Sequence, residues 1–88
     1  MEPRITINVS EDGVLELWLN EAGRDLLVKY LKTLSTSNDH LHLGADETWA
    51  DIKLGATAYR ASDKLIDTAK ILFRTDGWDS NYFPHVME

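Results

Sequence analysis

Residues Asn20 to Leu34, N-E-A-G-R-D-L-L-V-K-Y-L-K-T-L, decide how the rest of the chain is read. Ala22, Leu26, Leu27, Tyr30, Leu31 and Leu34 recur at helical spacing and form one apolar stripe, with Arg24, Asp25, Lys29, Lys32 and Thr33 outside it. Asn20 stands at the N-cap position, where its side chain can accept from an orphan N–H of the first turn. Glu21 and Asp25 place negative charge near the helix start, and Lys29 and Lys32 place positive charge further along. Gly23 falls in the first turn and offers a place for close approach to a strand. Ser35-Thr36-Ser37-Asn38 stops the helix with turn-forming residues. So short a helix is marginal alone in water, so its stripe needs a partner surface.

The flanks supply that surface as strands. Arg4 to Val9 alternates, with Ile5, Ile7 and Val9 on one face and Arg4, Thr6 and Asn8 on the other. Ser10-Glu11-Asp12-Gly13 reads as a hairpin turn. Val14 to Leu19 alternates again; its Leu15, Leu17 and Leu19 face is assigned to the helix, leaving Val14, Glu16 and Trp18 outside. After the helix, Asp39 to Leu43 reads as a strand with Leu41 and Leu43 inward and His40 and His42 outward. An acidic loop, Gly44 to Ala50, carries Trp49, and Asp51 to Leu54 is a short strand. Gly55 to Thr68 reads as loop, with Leu65 and Ile66 open to either helix or strand. Thr68 to Arg74 is the last strand, and Pro84 argues against a central strand in the aromatic tail from Trp78. The expected fold is α+β: one antiparallel sheet of four to five strands with one main helix on a face.

The chain has 88 residues, enough for a single domain with a modest core. No apolar run reaches membrane-span length, and Met1-Glu2-Pro3-Arg4 lacks the apolar region of a signal peptide, so a cytoplasmic protein without membrane contact is expected. The net charge of −6 argues against nucleic-acid binding, which needs basic patches, and suits a basic protein partner. There is no cysteine, glycine-rich phosphate loop or nucleophile motif, so neither an enzyme nor a cofactor is expected. His40-x-His42 could provide two metal ligands, completed by Asp39, Asp46, Glu47, Asp51 or His85; a small metal-binding domain is the alternative reading. The favoured site combines rings and acids: Trp18, His40, His42, Asp46, Glu47, Trp49, Asp51, Asp76, Trp78 and Asp79. Tyr82 and Phe83 lie beside it. Aromatic anchors with a charged rim are what protein interfaces use. Trp18 and Leu72 on the outer sheet face also offer a homodimer surface.

The segments Leu15-Glu16-Leu17-Trp18-Leu19-Asn20, Ala22-Gly23 opening a leucine-rich helix, and Asp39-His40-Leu41-His42-Leu43 with Trp49 beyond resemble immunity protein family 32 of bacterial polymorphic toxin systems. The resemblance covers about the first 55 residues. It implies a protein that binds and neutralises a cognate toxin in the producing cell, without catalytic residues. The chain's charge makes a basic nuclease one candidate toxin.

Overall fold

Ile5 and Ile7 are buried on one face of β1 (Ile5–Val9), and the register around them organises the first sheet. The computed structural model describes residues 2–46 and 48–88. A turn with Gly13 at φ 84° leads to β2 (Leu15–Leu19), which pairs antiparallel with β1, Ile5 opposite Leu19 and Ile7 opposite Leu17. Next comes α1 (Glu21–Leu31). The Asn20 side chain accepts from Gly23 N–H at 2.7 Å, as its cap position predicts. Gly23 packs so closely on the Arg4 carbonyl that a Cβ would collide with it, which fulfils the close approach expected there. The helix stops at Leu31, three residues early; Leu34 still packs against the core from the following turn, whereas Leu31 is exposed.

The second half contains β3 (His40–Gly44), β4 (Ile52–Lys53), β5 (Lys64–Ile66) and β6 (Thr68–Leu72). The expected single antiparallel sheet is instead two three-stranded sheets, ordered β2-β1-β5 and β4-β3-β6. The cause lies at Asp67. It interrupts the 64–72 segment, so β5 pairs with β1 while β6 pairs with β3. Leu65 and Ile66 are therefore strand. One pairing is also parallel, β3 with β4, with Leu43 opposite Ile52 and Gly44 opposite Lys53. The sheets are tied together by Ala45 N–H to the Asp67 carbonyl (3.0 Å) and by Gly55 N–H to the Ile5 carbonyl (2.7 Å). Ile5, Ile7, Leu27, Leu41, Leu43, Ile52 and Leu54 form the core, drawn from both sheets and α1.

Three further expectations are corrected. Leu15, Leu17 and Leu19 share the face of Ile5 and Ile7, but they remain 65%, 47% and 39% exposed because β2 lies at the sheet edge beyond the core. Thr6 and Asn8, assigned to a polar outer face, are buried. On that face Gly55 abuts the Thr6 hydroxyl, Tyr59 stacks on Trp18 at 4.1 Å, and Arg60 pairs with Glu16 and Asp63. The one main helix expected is joined by a second: the end of the chain forms α2 (Asp76–Tyr82) followed by a 3-10 turn, Pro84–Met87. Thr75 caps α2 by accepting from Trp78 N–H at 3.1 Å. Asp76 and Asp79 then favour its positive end.

Candidate protein-interaction surface

Alternation along β3 sends Leu41 and Leu43 into the core and turns His40 and His42 to the opposite face. The two imidazoles meet edge to face, with centroids 4.9 Å apart. Trp49 lies against His42 at 5.8 Å. Its six-membered ring rests directly over Gly44, where a Cβ would occupy the same space. The absence of a side chain at Gly44 thus sets where Trp49 sits.

On the other side, His40 Nδ1 is 2.8 Å from the Asp39 carboxylate, whose second oxygen forms an ion pair with Arg74 at 3.1 Å. The Arg74 guanidinium lies over the Trp78 ring at 4.7 Å, a cation–π geometry. Trp78 in turn packs on Tyr82 and Phe83 at 4.7 and 5.3 Å. An unbroken run of contacts therefore leads from Trp49 through His42, His40, Asp39 and Arg74 to Trp78. The β3–β6 pairing makes it possible, continued by Phe73 N–H to the Asp39 carbonyl at 2.7 Å. A shallow depression lined by Thr36, Asp39, Phe73, Arg74, Thr75 and Trp78 opens beside it.

The hydrogen bond from His40, and secondly the Arg74 charge, hold the Asp39 carboxyl below its ordinary value. Asp46 is lowered too, because its carboxylate accepts from the backbone N–H and hydroxyl of Thr48. Asp51 serves the backbone instead of the surface. Its carboxylate accepts from His42 N–H at 2.8 Å, and its own N–H donates to the His42 carbonyl at 2.8 Å. Such a two-sided clamp fixes the loop that carries Trp49.

Of the residues singled out from sequence, His40, His42, Trp49 and Trp78 fall along this one run, with Asp51 bonded to the His42 backbone. Asp76 and Asp79 lie on α2 beside Trp78, and Asp46 on the Trp49 loop. Trp18 belongs to a separate cluster on the other sheet, with Tyr59 and Arg60. Trp18 and Leu72, paired above as one outer face, thus stand on different sheets. Glu47 lies outside the described residues. Asp39, named from the sequence beside the histidine pair, stands at the centre of this surface with Arg74, which the sequence did not single out; their 35-residue separation hides the pairing from any local pattern. Among the described residues no three His, Asp or Glu side chains converge as metal ligands. Nor, among the described residues, is any helix long and apolar enough to cross a membrane.

The fold and this surface define a small α+β protein with an aromatic, ion-paired face. No family model, curated protein or solved structure matches the chain.

Proposed function

We propose that this chain is a non-catalytic binding protein that captures and neutralises a basic toxin domain inside the cell that makes both, the role of an immunity protein. The observation that carries this reading is the continuous run of ring and ion-pair contacts from Trp49 to Trp78. Half-exposed rings provide desolvated anchors, and the acids around them steer an oppositely charged partner. Asp46, Asp76 and Asp79 flank the run, against Arg74 within it and Lys70 and Lys53, which stand opposite His42 and Gly44 on the same face, and the chain as a whole carries −6. The order of segments resembling the immunity family supports the same reading. A nuclease is the toxin class that best fits an acidic face, since its site for phosphates is basic.

The test is co-expression with the toxin domain encoded beside this gene, scoring survival and co-purification. Wild-type chain should rescue growth and form a stable complex. A Trp49→Ala/Trp78→Ala variant, confirmed folded by circular dichroism, should lose rescue. An adjacent gene encoding no toxin, no rescue by well-expressed wild type, or undiminished rescue by the double variant would overturn the reading.

A further inference from the structure

The free edge of β2 has an unusual arrangement. Ser10 N–H bonds the Val14 carbonyl at one end of the β1–β2 ladder, and Asn20 N–H bonds the Arg4 carbonyl at the other. In an antiparallel ladder, hydrogen-bonded pairs alternate with non-bonded ones. With the register Ile7 opposite Leu17, it follows that Val14, Glu16, Trp18 and Asn20 turn their backbone groups toward β1. Leu15, Leu17 and Leu19 turn theirs outward, to an edge that no strand occupies among the described residues. The same three residues have exposed side chains. The backbone groups and the apolar surface left open therefore belong to the same residues.

Natural edge strands are usually blunted by lysine, proline or a bulge. This one has none: its five residues, L-E-L-W-L, pair in unbroken register, and its one charge, Glu16, points to the other face, where Arg60 pairs with it.

We propose that β2 pairs antiparallel with β2 of a second copy, centred on Leu17, to join two first sheets into one six-stranded sheet. In that register Leu17 meets Leu17, and Leu15 meets Leu19, so every outward backbone group of these residues finds a partner. Six leucines emerge together on one face. Glu16 falls opposite Trp18 of the other copy, whereas a slip of one pair toward the strand start would set Glu16 against Glu16. Charge thus disfavours that slip, and the centred register is the one that pairs all three leucines of each copy. α1 lies on the same side of the sheet as these leucines, since its Leu27 packs with Ile5 and Ile7. The open apolar strip is roughly a few hundred Å² per copy, the size that marks a contact site. Two such strips with the paired strands approach the roughly 1,000 Å² of a specific interface. The proposal does not depend on the toxin reading.

The test uses single-cysteine variants, because the chain has no cysteine of its own. Opposed residues in such a pairing lie within disulfide reach. Wild type should sediment as a dimer, more firmly as salt screens the repulsion between two copies of charge −6. Under mild oxidation Leu17→Cys should cross-link on the order of tenfold or more faster than Leu15→Cys or Leu72→Cys, through its high effective concentration. A separate variant, Leu15→Lys at the most exposed leucine, should shift the chain to monomer with its circular dichroism retained. Wild type that stays monomeric at all attainable concentrations, or a Leu17→Cys rate no higher than that of Leu72→Cys, would overturn the proposal.

Discussion

Asn20 holds three pieces of chain with one side chain. Its carbonyl oxygen accepts from Gly23 N–H at 2.7 Å and from Arg4 N–H at 2.9 Å, and its amide donates to the Glu2 carbonyl at 2.9 Å. Asn20→Ala should therefore cost about 1–2 kcal/mol, at the upper end for a helix cap, measured by urea denaturation. Asp51→Ala removes the carboxylate clamp on His42 and leaves that N–H to water, so a loss of about 1 kcal/mol is expected. Gly44→Ala acts through volume instead. The new methyl would meet the Trp49 ring, and the ring must move for it to fit. A cost of about 1–3 kcal/mol and a shift in tryptophan fluorescence are the expected readouts. An unchanged spectrum would show that Trp49 does not rest on Gly44. These contacts differ in how visible they are in sequence. The Asn20 cap follows from its place before a periodic stripe, but Gly44 under Trp49 depends on how the 45–51 loop folds back.

At the scale of elements, α1 was readable because a stripe of leucines at 3.6-residue spacing has no strand equivalent. The strands flanking it were readable by alternation. α2 was missed because its seven residues have no apolar stripe and bury no side chain fully. Its signal was local: Thr75 as cap, followed by Asp76 and Asp79. Thr75→Ala should thus fray α2 and loosen Trp78 from Arg74, seen as lost amide protection in residues 76–82 with little change elsewhere. The 55–63 segment shows another limit. Tyr59 stacked on Trp18 gives this loop its hold on the first sheet, and no spacing rule connects positions 41 residues apart in different elements. Tyr59→Ala should cost about 1 kcal/mol and make Trp18 emission more water-like.

For the whole molecule, charge is the dominant property. Association with a basic partner should be fast at low salt and slow as ionic strength rises, whereas β2 pairing should respond in the opposite sense. Stopped-flow and sedimentation across a salt series separate the two surfaces. Acid provides a third probe. Asp39 is held below its ordinary value of 3.8, so its ionised contacts with His40 and Arg74 favour the fold above that pH. That contribution is lost as pH falls through the lowered value. Asp39→Asn should flatten the stability profile below about pH 4.

The sequence by itself determined the local elements whose periodicity is complete within a few residues: β1, the hairpin turn, β2, α1 with its cap, and the inward and outward sides of β3. It also set the acidity and the supply of exposed rings. Tertiary structure alone decided that Asp67 divides one ribbon between two sheets and that β4 runs parallel to β3. It decided too that the leucines of β2 stay open at an edge, and that Asp39 and Arg74 join the histidines to Trp78. The physical reason is range. Helix caps and side-chain alternation are satisfied by neighbours along the chain, whereas edge exposure, strand order and ion pairing depend on segments that meet only when the core closes.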